Sequence, residues 1–292
     1  MLRLVLPKGS LEESTFELFD AADLAFRRTS DRDYQGSIED PRIASVAVIR
    51  PQEIPRYVEE GHFDLGITGQ DYVAETEADV VEVATLPYGK TSTARPVKIA
   101  LAMAIDSGVE GPDQLPPDLR VSTEYENIAR RYFDKLGLPV RIMRSFGSNE
   151  AKVPDIVDAI VHNVETGSTL RRNGLRIVDV LMESWTVLVA NRKTMEDETK
   201  RRAVEELHIL LDGAIRARGR VLVKLNVAKS ELESVLEIVP SMKAPTVSEL
   251  AGGGAYAVEM VVSKAEINTL IPELKARGAT DIIELPLSKI VP

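Results

Sequence analysis

Short apolar runs closed by Gly, Pro or Ser and followed by helix-spaced segments recur along this chain, and that alternation constrains the fold more than any other feature. Strands separated by helices are joined by crossovers, which lays them parallel in a sheet covered by helices. Leu2 to Leu6 ends in Pro7-Lys8-Gly9-Ser10 and gives way to Leu11, Phe16, Leu18, Phe19 and Leu24 at helical spacing. Ser45 to Ile49 predicts a strand, Ile54 to Glu60 a short helix, and Asp64 to Ile67 a strand running into Thr68-Gly69-Gln70-Asp71. An α/β fold with a largely parallel sheet is expected.

A second set of elements begins with Lys98 to Ala104, a strand near Arg120 to Ser122, a helix from Asn127 to Leu136, and apolar segments at Val140 to Met143 and Ile156 to Val161. Leu175 to Leu181 and Trp185 to Ala190 are strand-like again. Thr194 to Arg218 is the clearest helix, with Thr194 as its cap, Val204, Leu207, Leu211, Ala214 and Ile215 at helical spacing, and Gly219 at its end. Beyond it the order strand, helix, strand, strand, helix, strand over Val221 to Leu285 is the ferredoxin-like βαββαβ arrangement. At 292 residues, against roughly 150 for one domain, two or three domains are expected.

The net charge of −10 argues against a nucleic-acid or anionic-membrane surface, because phosphate backbones are bound through excess Lys and Arg. An anionic ligand must therefore be met by a local pocket. The absence of cysteine excludes disulfides, thiolate metal sites and cysteine nucleophiles, and His62, His162 and His208 match no compact metal motif, so each reads as structural or surface. The opening residues lack the apolar core of a signal peptide, and no run approaches the roughly 20 apolar residues of a membrane span, so a soluble, cytoplasmic protein is expected.

One bend carries the clearest chemistry. Asp158-Ala159-Ile160-Val161 leads into Glu165-Thr166-Gly167-Ser168-Thr169-Leu170, where Gly167 lets backbone approach a ligand, Ser168 and Thr169 offer hydroxyls, and amides opening a helix would face an anion. The same string is equally consistent with an ordinary strand-to-helix turn capped by Ser168 or Thr169. Lys8 and Gly9 follow one strand and Gly69 and Asp71 another, at the strand ends where open α/β sheets bind ligands. Taken singly, Lys8 reads more readily as a solvated turn lysine and Gly69 as a plain turn residue. Arg130-Arg131 reads as a solvated helix face.

In chain order, LRLVLPKGSLEES (2 to 14), RPQEIPRYVEEGHFDLGITGQDYVAE (50 to 75), VSTEYENIARRYF (121 to 133) and DAIVHNVETGSTLRRNGL (158 to 175) closely resemble ATP phosphoribosyltransferase, which catalyses the first step of histidine biosynthesis. The segments 224 to 250 and 267 to 292 resemble the regulatory extension of the family's long form. The resemblance implies a two-lobed catalytic core of periplasmic-binding-protein type followed by a ferredoxin-like regulatory domain. Residues 1–95 and 175–218 would form the first lobe, 96–174 the second, and 219–292 the regulatory domain.

It further implies transfer of the 5-phosphoribosyl group from PRPP to N1 of ATP, with Mg²⁺ as cofactor, feedback inhibition by L-histidine, and a homo-oligomer between dimer and hexamer. Glu165, Thr166, Gly167, Ser168, Thr169 and Leu170 would hold PRPP, with Asp158 near its ribose. Lys8, Arg50 and Asp71 are implied as catalytic residues and Gly9, Gly69 and Glu124 as contacts to ATP; metal ligands are not identified. The chain departs from the family where an acidic residue commonly stands four positions after the first aspartate: here it is His162, followed by Asn163. Two rivals remain, a solute-binding module on the same scaffold and a regulatory binding protein, and turnover separates them from the enzyme.

Overall fold

The computed structural model describes residues 1–30, 32–89, 95–145, 147–239 and 244–292. A first sheet grows from the opening apolar run. β1 (Leu2–Pro7) leads through α1 (Glu12–Ala21) to the short β2 (Phe26–Arg27) and β3 (Gln35–Ile38). Then come β4 (Ile43–Ile49), α2 (Ile54–Glu59), β5 (Leu65–Gly69), α3 (Gln70–Thr76) and β6 (Val81–Thr85). The next stretch supplies β7 (Val97–Ala104), β8 (Leu119–Thr123), α4 (Glu126–Leu136), β9 (Val140–Arg144), β10 (Ala159–Val164), α5 (Ser168–Arg172) and β11 (Leu175–Ser184). β12 (Thr186–Ala190) is followed by α6 (Arg192–Glu196) and α7 (Glu198–Ala217).

Strand order is β2-β3-β4-β1-β5-β12-β6 in the first sheet and β11-β7-β10-β8-β9 in the second. Each sheet has a parallel part, β4-β1-β5 in the middle of the first and β10-β8-β9 on one side of the second. The expected parallel pairing is confined to these strands, and β3, β7, β11 and β12 pair antiparallel with their neighbours. The reason is connectivity: β7 enters the second sheet from the first, and β12 enters the first from the second, with no crossover helix of the same sheet before either.

The run from Leu175 was expected to rejoin the first lobe, and it does not. β11 pairs with β7 from Leu175 opposite Ala104 to Ser184 opposite Val97, so Trp185 alone separates it from β12, whose Thr186 pairs with Gly69. The lobe boundary expected at 174/175 therefore lies at Trp185. Both faces of the second sheet are covered, and β7 shows how: Ile99, Leu101 and Met103 enter one apolar cluster, Ala100, Ala102 and Ala104 the other.

The single helix expected from Thr194 is two helices. Asn191 caps α6, its side chain accepting from Lys193 N at 2.9 Å, while Thr194 is buried and donates to Asp64 Oδ1 at 3.1 Å. Residues 1–20 with 24–206 form one compact unit and 21–23 with 207–292 another, so the division expected at 218/219 falls within α7.

The second unit continues with β13 (Arg220–Ala228), α8 (Leu232–Leu236), β14 (Thr246–Glu249), β15 (Ala255–Ser263), α9 (Ile267–Ala276) and β16 (Thr280–Pro286). Its sheet, ordered β14-β15-β13-β16 and antiparallel throughout, has the ferredoxin-like arrangement. Val235 of α8 and Leu270 and Leu274 of α9 pack with Val223 and Val258 of the sheet. The glycine-rich turn from Ala251 is the hairpin between β14 and β15, closed by Leu250 N donating to Ala255 O at 2.9 Å. No helix among the described residues is long and apolar enough to cross a membrane.

Candidate active site

β10 delivers the bend at Glu165 to Leu170 to a cavity of about 370 Å³. Gly167 has φ 70°, a left-handed conformation that costs other residues free energy, and α5 starts at the next residue. Gly167 is the helix cap and no side chain among the described residues caps it, so the plain reading with Ser168 or Thr169 as cap does not hold. The amides of Ser168, Thr169 and Leu170 lie in the first turn, whose N–H groups have no acceptor within a helix. Leu170 is buried in the core and anchors the bend, while Thr166 and Thr169 are exposed and Thr166 Oγ1 lies 3.1 Å from Ser168 Oγ. Arg171 folds back over the turn, its Nη2 donating to Thr166 O at 3.3 Å.

Across the cleft, parallel pairing of β1 with β4 sets Pro7 opposite Ile49, which places Lys8 and Arg50 side by side at the C-terminal ends of neighbouring strands. Both line a second cavity of about 550 Å³, together with Gly9 and Glu124. The Lys8 ammonium lies 3.9 Å from the centre of the Tyr34 ring, and Glu124 Oε2 accepts from Gln52 Nε2 at 3.4 Å. Ser10, Pro51, Tyr72 and Asn163 border both cavities, so the two adjoin.

Gly69 and Asp71 lie on the wall of the first cavity. Asp71 is buried, with Oδ1 accepting from Ser184 Oγ at 2.7 Å and Oδ2 from the Tyr125 hydroxyl at 2.9 Å. Burial pushes its carboxyl above the ordinary carboxylate range despite these hydrogen bonds, and burial likewise raises the Tyr125 phenol. Position 69 needs glycine on steric grounds: a Cβ there would stand 2.0 Å from Asp71 Oδ1, which Ser184 holds in place.

Asp158 is not in the site. It precedes β10, at the opposite end of the strand from the bend, and pairs with Arg120 through Oδ1 at 2.7 Å and Oδ2 at 3.1 Å. The Arg120 hydrogen bonds hold its carboxyl below the ordinary range, and its place a strand's length from the bend does not bring it to the phosphate turn. His162, read as structural or surface, lines the first cavity instead, with Nε2 3.5 Å from Glu150 Oε1 and a buried Nδ1 that has no hydrogen-bond partner among the described residues. Strand parity was the available signal: His162 shares the face of Ile160 and Val164, the face toward α5. Glu150, Tyr34, Tyr72 and Ser184 were missed, since each reaches the site through the fold rather than through a local motif, and Arg171 was missed although it directly follows the bend and contacts Thr166 locally.

Comparison with known proteins bears directly on this cleft. The family profile described as ATP phosphoribosyltransferase matches residues 50–213, and the profile of that family's C-terminal domain matches residues 217–289. An ATP phosphoribosyltransferase of Pelotomaculum thermopropionicum is 44% identical over 100% of this chain and 99% of its own length. One from Desulforudis audaxviator is 46% identical with the same coverage. Among solved structures, the ATP phosphoribosyl transferase (HisG:HisZ) complex from Thermotoga maritima superposes with a TM-score of 0.61 at 27% identity, covering 72% of this chain and 98% of that one.

Proposed function

Because the chain belongs to the ATP phosphoribosyltransferase family, transferases of histidine biosynthesis, we propose that it moves the 5-phosphoribosyl group of PRPP to N1 of the adenine of ATP, in the cytosol. One observation carries this reading: the bend at Thr166 to Leu170 and the cations Lys8 and Arg50 face adjoining cavities of one cleft. PRPP is anionic at both ends. A bend of amides and hydroxyls suits its 5′-phosphate, and Lys8 and Arg50 suit its pyrophosphate.

In the transfer, the N1 lone pair forms a bond to C1 of the ribose as the C1–O bond to pyrophosphate breaks, the bonding electrons leaving with pyrophosphate. Configuration at C1 inverts from α to β. The attacking nitrogen already carries its lone pair, so no strong general base is demanded, and the chain's contribution is to align N1 behind C1 and to stabilise the departing charge.

Mg²⁺ belongs to the same proposal. No group of three or more His, Asp or Glu suited to a metal stands among the described residues. Mg²⁺ commonly binds through substrate phosphates and water with one or two carboxylates, and Glu150 and Glu165, which line the first cavity, are the groups that would supply them. Its chemistry there would be neutralisation of the leaving pyrophosphate. The ferredoxin-like domain is proposed to take L-histidine as feedback inhibitor, coupled to the cleft through a homo-oligomer between dimer and hexamer.

The test is a mixture of protein, ATP, PRPP and Mg²⁺, with and without histidine. Pyrophosphate release that requires both substrates and falls on adding histidine is expected. Binding of PRPP with no release of pyrophosphate would favour the solute-binding reading instead.

A further inference from the structure

Asp71 is a buried titratable group on the wall of the cleft for which the transfer chemistry has no evident use. Both of its oxygens are engaged, by Ser184 and by Tyr125, and both side-chain donors are neutral hydroxyls. A carboxylate so placed is costly to bury, which asks what it secures. It joins three segments. Asp71 stands in the first turn of α3, which follows β5 of the first sheet; Ser184 ends β11 of the second sheet, one residue before the chain crosses back; Tyr125 leads into α4.

The same two helices meet along their length. Glu75 of α3 accepts from the amides of Asn127 and Ile128 in the first turn of α4, each at 3.0 Å, and Asn127 Nδ2 donates to Glu75 O at 2.8 Å. Arg131 of α4 pairs with Glu77 and donates to Ala74 O at 2.8 Å, so it docks a helix rather than solvating a face. The Tyr72 ring stacks on Tyr125 with centroids 5.6 Å apart, and Tyr72 borders both cavities. A helix emerging from the first sheet is thus fastened to one of the second, beside the cleft.

We infer that Asp71 is a positioning residue: it pins α3 to α4 and to the crossing strand, and so sets the spacing between the phosphate bend and the wall bearing Lys8 and Arg50. Its negative charge takes no part in group transfer. The inference rests on the reaction proposed above for its kinetic consequence, but the pin itself has a signature that needs no substrate.

Two measurements on full-length Asp71→Ala, Asp71→Asn and Tyr125→Phe test it. Amide hydrogen exchange in residues 126–130 is expected to quicken at least tenfold in Asp71→Ala and Tyr125→Phe and to return toward wild type in Asp71→Asn, whose amide has the shape to keep both contacts. Turnover is expected to follow the same ranking, with kcat at least tenfold lower in the first two variants and Asp71→Asn retaining at least a tenth of wild-type kcat. Should Asp71→Ala fail to fold, Tyr125→Phe against Asp71→Asn carries the comparison. An Asp71→Asn enzyme that is inactive while Tyr125→Phe turns over normally would assign the charge to the chemistry and overturn the inference. Unaltered exchange in Tyr125→Phe would overturn it even if the wild-type protein showed no turnover, whereas absent wild-type turnover with quickened exchange would sink the proposed reaction and leave the pin standing.

Discussion

Thr169 stands in the first turn of α5 with its side chain exposed toward the cavity, where an added carboxylate would meet any anion held by the bend. Thr169→Glu is therefore expected to weaken PRPP binding on the order of 100-fold, about 3 kcal/mol, with the melting temperature unaltered. Titration calorimetry checks it; wild-type affinity in that variant would remove the bend from the site. At this scale the sequence was legible where chemistry is local. A glycine and two hydroxyls following a strand mark the bend, and Lys8 and Arg50 follow strands whose C-terminal ends must share an edge. It was not legible at Asp158, whose partner Arg120 lies on another strand, nor at Glu150, which meets His162 only after the chain has folded.

Helix α4 has its N-terminal amides satisfied by Glu75, a residue of another helix, where a local cap is the common solution. Glu75→Ala is expected to destabilise the fold by about 1 kcal/mol, the usual worth of a cap, and a thermal melt indistinguishable from wild type would count against that role. Most elements could be read from periodicity, including the ferredoxin-like order of the last six. The sheet to which β11 belongs could not, because apolar pattern states that a strand is buried but not which ladder it joins. The break between α6 and α7 was hidden for a related reason. Thr194 has the chemistry of a cap, but Asp64 draws it inward and leaves Asn191 to begin the helix.

The stability of the first unit depends on a buried carboxylate that gathers distant segments. Asp64 accepts from Arg3 Nε at 3.0 Å, from Lys200 Nζ at 2.9 Å and from Thr194. Burial pushes its carboxyl upward, but the hydrogen bonds from Arg3 and Lys200 prevail and hold it well below the ordinary range. A depressed carboxylate contributes stability above its unfolded pKa of about 3.9 and loses it as pH falls through the folded value. Melting temperature should thus drop below about pH 4, and Asp64→Asn should be less stable at neutral pH with a flatter acid limb. An acid limb as steep as wild type in that variant would place the titrating group elsewhere. For the second unit, a chain ended at Gly219 is expected to bind PRPP yet ignore histidine, and retained inhibition in a turnover assay would move the effector site out of the ferredoxin-like domain.

The most direct measurement of the central claim is a crystal structure with PRPP bound. The account predicts its 5′-phosphate within hydrogen-bonding distance of the Ser168, Thr169 and Leu170 amides, with the pyrophosphate toward Lys8 and Arg50. A sugar phosphate lodged elsewhere in the molecule, with those amides facing only solvent, would contradict it.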